Sequence, residues 1–209
     1  MFDAVIFDLD GTLIDTERLA IAAGLLAFKR LGYPVEPTFL HGLVGLDTVT
    51  GAGLIRARFP ELDTAALDRH WVEESDAMMA GSGLLLKPGA TALLDLIALP
   101  RAIATSSGRA RAAKKLKLAG LAARFDLVIT LDDVTAAKPD PAPYLLTAAR
   151  LGVDPARCLV FEDSETGAQS AHRAGMRVVQ VPDILPTSGE WAHHVADDLL
   201  SGARAAGLI

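Results

Sequence analysis

Five short segments of this chain are apolar on both parities rather than at every second position: AVIFDL (4–9), RAIATS (101–106), LVIT (127–130), CLVFED (158–163) and RVVQV (177–181). A strand with one face in water alternates, so runs like these, rich in β-branched residues, describe strands buried on both faces. Between the later segments lie GRARAAKKLKLAG, PAPYLLTAARLG and ETGAQSAHRAG, stretches of helical length that end at Gly120, Gly152 and Gly175. Glycine is the favoured residue just past a helix C-terminus. Strand and helix repeated in this order imply right-handed crossovers, and the expected fold is α/β, a doubly wound parallel sheet.

One interval breaks the alternation. From Asp15 to about Lys87 only helical patterns occur, in TERLAIAAGLLAFKRLG, TFLHGLVG, DTVTGAGLIRARF and DTAALDRHWVEESDAMMAG. The expected organisation is therefore a helical subdomain over 15–87, inserted after the first strand of a core formed by 1–14 and 88–209. Gly and Pro in GSGLLLKPG suit a hinge at its exit. With 209 residues, 51% of them hydrophobic, such a chain has material for a core of its own.

The bulk properties exclude several classes of partner. Net charge is −6, from 20 basic against 26 acidic residues, with no long run of either sign. Neither a nucleic acid polymer nor an anionic membrane is the expected main partner. The longest apolar run of the first helix, LAIAAGLLAF, falls short of the roughly 18 residues of a membrane span. Cys158 has no second cysteine to pair with, and MFDAVIFDLDG carries acids where a signal peptide needs a basic region. A cytoplasmic monomer acting on a small molecule is the expectation.

In a doubly wound sheet, ligands sit beyond the C-terminal ends of the strands. The first strand delivers Asp8 and Asp10 there, the second Thr105, Ser106 and Ser107, and the fourth Glu162 and Asp163; LDDVTAAKPDP, after the third, leads to Lys138 at a helix start. Carboxylates, a lysine and hydroxyls on one edge suit a divalent cation and a phosphoryl group. A hard cation such as Mg²⁺ takes oxygen ligands, which Asp8 and Asp163 would supply. A carboxylate can itself attack phosphorus, provided that charge is cancelled nearby. Lys138, Thr105 and backbone N–H groups of the turns after the first two strands, at Leu9, Gly11, Ser106 and Ser107, would help to cancel it. Asp8, at the strand end, is the expected nucleophile. Asp10, two residues on in a turn eased by Gly11, suits a general acid for the leaving alcohol and then a general base for water. Ser107 has an equally good reading as the cap of the following helix.

DLDGT, the ATSS strand end, KPDP and FEDSETG stand in the order and spacing of the four motifs of the haloacid dehalogenase-like (HAD) phosphotransferase superfamily, which the chain resembles over essentially its whole length. The inserted helices resemble the helical cap of its phosphatase branch. The resemblance implies Asp8 as nucleophile, Asp10 as acid and base, Thr105 and Lys138 as phosphate ligands, and Mg²⁺ held by the Asp8 carboxylate, the Asp10 carbonyl and Asp163. It also implies Glu162 as an outer-shell ligand. DTERL, ATSS, KPGA and VVQVPD look most like the branch of pseudouridine 5′-phosphatases and sugar-phosphate phosphatases. Glu17 and the loop Gly45 to Thr48, with Leu46 in it, are the expected contacts to the leaving group.

Two other readings stay open. Phosphomutases of the β-phosphoglucomutase type share the core motifs but place a histidine and an arginine where this chain reads TERLAIAA and GLDTVT. A phospho-acceptor receiver module also gathers acids, Thr and Lys at a sheet edge, but lacks the helical insert. Calcium loops and dinucleotide fingerprints fit poorly: Leu13 and Leu19 stand where an EF-hand needs Gly and Glu, and GAGLIR puts Arg56 where a glycine belongs, with no strand before it.

Overall fold

The computed structural model describes every residue except Gly45 and Asp47; of the helical residues Thr48, Val49 and Ser82 only the backbone is described. Met1–Asp15 with Leu84–Ile209 forms one compact unit, and Thr16–Gly83 forms a second.

The larger unit is built on a six-stranded sheet. Its strands are β1 (Ala4–Phe7), β2 (Arg101–Ala104), β3 (Leu127–Ile129), β4 (Cys158–Glu162), β5 (Arg177–Gln180) and β6 (His194–Val195), in the order β3-β2-β1-β4-β5-β6. Every pairing is parallel. The doubly wound fold expected from the apolar runs is present. The sequence of connections reverses beside β1, which lies between β2 and β4, so the crevice beyond the C-terminal ends of β1 and β4 is the natural ligand position. The strands are shorter than the apolar runs, yet strand-type bonds continue one residue further: Asp8 N donates to Phe161 O (2.9 Å) and Thr105 N to Ile129 O (3.0 Å). Asp8 and Thr105 thus follow directly on strands whose backbone bonding still holds them, while Glu162 is the last residue of β4. β6 was not expected, because two residues carry no apolar pattern; it joins the sheet edge by backbone pairing of His194 with Val179.

Helices cover both faces through small residues. On one face Ala4, Ile6, Ala102, Ala104 and Val160 pack with Tyr144 and Ala148 of α7 (Ala142–Leu151) and Ala168 and Ala171 of α8 (Glu165–Arg173). On the other, Phe7 and Phe161 stack with ring centroids 5.1 Å apart. There Gly202 of α9 (Leu199–Ala205) approaches so closely that a Cβ would lie 2.5 Å from Val179 Cγ1. The remaining α-helices of this unit are α5 (Ala90–Leu96) and α6 (Arg109–Leu118).

The second unit holds α1 (Glu17–Arg30), α2 (Pro37–His41), α3 (Thr48–Arg58) and α4 (Thr64–Ser82). Its core is aromatic: the Phe28 ring meets Phe39, Phe59 and Trp71 at centroid distances of 5.9, 5.5 and 6.1 Å. Trp71 Nε1 donates to Ala20 O (2.8 Å), and Gly24 of α1 leaves the room the indole needs. Among the described residues, no helix is long and apolar enough to cross a membrane.

The connection after β3 is held by a short cap. Asp133 accepts from Thr130 Oγ1 (2.6 Å) and Thr130 N (2.9 Å), and Arg109 pairs with it at 2.7 Å. The Thr130 bonds, followed by Arg109, pull the Asp133 carboxyl down from 3.8 to about 2. A carboxyl lowered on folding stabilises above its unfolded value and loses that contribution as pH falls through the folded one. Asp133→Ala should therefore cost about 1–2 kcal/mol in urea denaturation at neutral pH. The difference from the parent should persist down to about pH 4 and close by about pH 2.

Candidate active site

The ends of β1, β2 and β4 and the start of α7 meet at one buried ion cluster. Lys138 Nζ donates to Asp8 Oδ1 (2.7 Å), Glu162 Oε1 (2.6 Å) and Ala104 O (2.9 Å). Its ammonium lies 5.0 Å from the centre of the Tyr144 ring, and Tyr144 Oη donates to the same Glu162 oxygen (2.6 Å). The second Glu162 oxygen accepts from Ser164 Oγ (3.2 Å) and Asp163 N (3.2 Å). Asp8, Lys138 and Glu162 are all buried.

These groups fix one another's charge. Burial works against the Lys138 ammonium, but the carboxylates of Asp8 and Glu162 outweigh it and hold the amine above its ordinary value. Burial pushes the Asp8 carboxyl up to about 8; Lys138 opposes the rise, while Glu162 and Asp10 add to it. Burial and the Glu162 carboxylate also raise the Tyr144 hydroxyl well above its usual range, so it stays a donor. Burial, more than the neighbouring carboxylates, thus works against the charged form of Asp8.

Asp163 stands at the open side of this cluster. Its close neighbour is Gly11, at φ +79°, where a Cβ would lie 2.2 Å from Asp163 Oδ2. The glycine serves the turn and the approach at once. Thr12 Oγ1 lies 3.4 Å from Asp163 Oδ1, and Gln180 Nε2 donates to the Asp163 carbonyl (3.3 Å). One carboxylate oxygen from each of Asp8, Glu162 and Asp163 lies within 4.8 Å of the others. An all-oxygen donor set of this kind fits a hard divalent cation.

Asp10 lies in the turn after β1, and both of its carboxylate oxygens have protein donors. Lys115 Nζ reaches Oδ1 at 2.5 Å and Ser107 Oγ donates to Oδ2 at 2.9 Å, while Lys115 also donates to Ser107 Oγ (3.0 Å). The cap of α6 is Gly108, so Ser107 does not serve as the helix cap. Thr105 is buried, and its hydroxyl accepts from Ser107 N (3.0 Å).

The other sequence-derived candidates are placed less uniformly. Ser106 is exposed beside this loop. The Leu9 side chain is fully buried, which leaves only its backbone for a ligand. Gly11 N, expected to face substrate, donates instead to Ile14 O (2.9 Å), because the turn closes on itself. Glu162 spends its oxygens on Lys138, Tyr144, Ser164 and Asp163 N, and so acts first as the counter-charge of Lys138. Glu17 and Leu46 belong to the helical unit, where Glu17 opens α1 and Leu46 is exposed. Gly45, Asp47 and the Thr48 side chain lie outside the described residues.

Two site residues escaped the sequence reading. Lys115 shares its buried helix face with Ala112 and Leu116, so a lysine at a core position of α6 was the available signal. Tyr144, three residues after the KPDP motif, carried no signal apart from its polar tip among apolar neighbours.

Fold and site together define a doubly wound parallel-sheet protein whose acids, lysine and hydroxyls gather at the switch point of its sheet. A family profile described as haloacid dehalogenase-like hydrolase matches residues 2–175, and the chain belongs to that family. The fructose-1-phosphate phosphatase YqaB of Escherichia coli K12 is 35% identical over 86% of this chain and 96% of its own. A Drosophila melanogaster protein provisionally named a pseudouridine-5′-phosphatase is 34% identical over 90% of this chain and 85% of its own. A crystal structure from Thermotoga maritima, provisionally described as a β-phosphoglucomutase, superposes with a TM-score of 0.81 at 26% identity, covering 99% of both chains.

Removing the central cation should be costly. Lys138→Met leaves buried Asp8 and Glu162 facing each other, and about 3–5 kcal/mol of stability should be lost near pH 8. A carboxyl raised on folding costs stability at high pH and ceases to as pH falls, so urea denaturation near pH 5.5 should show a smaller deficit.

Proposed function

We propose that this protein is a Mg²⁺-dependent phosphatase of a small phosphate monoester, a sugar phosphate or nucleoside monophosphate, working through an aspartyl phosphate on Asp8. The observation that carries the reading is the buried Asp8 carboxylate, held at 2.7 Å by Lys138 beside Asp163 at the end of the central strands. An Asp8 oxygen attacks phosphorus as the ester P–O bond breaks, and the departing alkoxide takes a proton from Asp10. Asp10 then takes a proton from water, which attacks the aspartyl phosphate, releasing inorganic phosphate and restoring the Asp8 carboxylate. Lys138 and the Thr105 hydroxyl are the phosphate ligands of this reading. Asp8, Asp163 and the Asp10 carbonyl would hold the cation, with Glu162 behind them. When bound, the cation lowers the repulsion between anionic nucleophile and anionic ester and favours the ionised form of Asp8.

Residues 16–83 are the cap in this reading, with substrate choice resting on Glu17 and on Gly45 to Thr48. The names of the Escherichia coli and Drosophila relatives favour a sugar phosphate or a nucleoside monophosphate. Lone Cys158, buried and free, fits the cytoplasmic setting expected for a monomer of this kind. The likeness to the Thermotoga maritima structure keeps a phosphosugar mutase as the second reading. The histidine and arginine that such mutases place in TERLAIAA and GLDTVT are absent, which favours hydrolysis.

Assays with fructose 1-phosphate, other sugar phosphates, nucleoside monophosphates and p-nitrophenyl phosphate should release inorganic phosphate, stop with a chelator and resume with Mg²⁺. Asp8→Asn should fall to the uncatalysed rate, and Asp10→Asn by roughly 10²–10⁴-fold in kcat. Near-normal turnover by Asp8→Asn would overturn the covalent route, and isomerised sugar phosphate without phosphate release would favour the mutase.

A further inference from the structure

We propose that Lys115 is a positioning residue for Asp10, setting the direction of its carboxylate by a direct bond and through Ser107; this rests on the phosphatase reading above. Lys115 projects from the middle of α6, its side chain 9% exposed, on a face otherwise made of Ala112 and Leu116. An apolar residue would complete that face at lower cost, since a buried ion pair repays its desolvation only in part. The ammonium makes a specific set of contacts instead. Its bond to Asp10 Oδ1, the Ser107 bond to Asp10 Oδ2 and the Lys115 to Ser107 bond form a closed triangle, with sides of 2.5, 2.9 and 3.0 Å.

That triangle is anchored at both ends. Ser107 N donates to Thr105 Oγ1 (3.0 Å), and Ser107 O accepts from Leu131 N (3.1 Å), so the hydroxyl is carried by a loop bound to the ends of β2 and β3. Asp10 bonds to residues 97 and 105 positions away in the chain, so its direction is imposed by tertiary structure. A short acidic side chain in a turn, 22% exposed, would otherwise distribute over several rotamers. General acid and base catalysis depends on that direction, and a misplacement of about 1 Å can cost ~10²-fold in rate.

The test compares Lys115→Met, which keeps the apolar stem, with Lys115→Arg, Ser107→Ala and the parent enzyme. An alkyl phosphate needs a proton on its leaving oxygen, whereas p-nitrophenolate departs without one. Lys115→Met should lower kcat for the alkyl ester by roughly 10–100-fold, with KM within about twofold. On p-nitrophenyl phosphate it should give a rapid burst of one nitrophenolate per enzyme and then slow turnover, because the first step is spared while attack by water still needs Asp10. Lys115→Arg should recover part of the loss, and Ser107→Ala should show the same pattern more weakly. Equal losses on both substrates without a burst, or parent-like kinetics, would overturn the inference. If Lys115→Met does not fold, Ser107→Ala decides alone, and parent-like kinetics there overturn it too. Failure of the parent to hydrolyse any ester, or survival of activity in Asp8→Asn, would instead overturn the phosphatase reading.

Discussion

The core unit is organised around a charge that it cannot solvate. Lys138 sits among the ends of three strands with Asp8, Glu162 and the Ala104 carbonyl within 2.9 Å. None of these partners is next to it in sequence. For the ammonium to be satisfied, β1, β2 and β4 must end at the same level and the KPDP loop must return to them. Gly167 in the first turn of α8 must also lack a side chain, because a Cβ there would overlap the Glu162 carboxylate. The apolar sheet supplies the driving force for collapse, and the buried ions restrict which alignments of the strands are acceptable.

The same arrangement explains why the site is asymmetric. Glu162 has its oxygens filled by protein donors, whereas Asp163, one residue on, faces the more open side next to Gly11. Adjacent acids on one strand end alternate in direction, so one turns to the interior and the other to the open side. On the far side of Asp8, Asp10 is tied to α6 and the loop after β2. Asp8 and Asp10 therefore depend on different supports, although they are two residues apart.

The doubly wound sheet was legible because burial on both faces leaves a trace in the strand itself, as in Val5, Ile6 and Phe7. Asp8, Thr105, Glu162 and Lys138 could be grouped because the fold brings strand ends together, and a strand end can be read from sequence. What was not legible depends on approach between distant surfaces. Lys115 lies on a helix whose sequence shows four basic residues in RARAAKK, and its spacing from Ala112 and Leu116 is a faint signal beside the packing that buries it and leaves the others exposed. Gly11 is a different case: its position suits an N–H for substrate, but the turn needs that donor for Ile14. Residue type and position gave the neighbourhood, and competition for hydrogen bonds decided the role.

The two chain crossings beside β1 carry a further implication. Ile14 and Leu86 form an antiparallel bridge, Asp15 N donates to Leu85 O, and Lys87 N donates to Leu13 O. Lys87 is bound in turn to Asp183, in the loop after β5. The core thus closes its own border with a two-stranded clasp, leaving and re-entering at neighbouring positions. Any segment whose ends are close together meets the geometric demand of this border, whatever its length or internal fold. The core unit is in this sense a socket, whose border asks only that the two ends of the inserted segment lie close together.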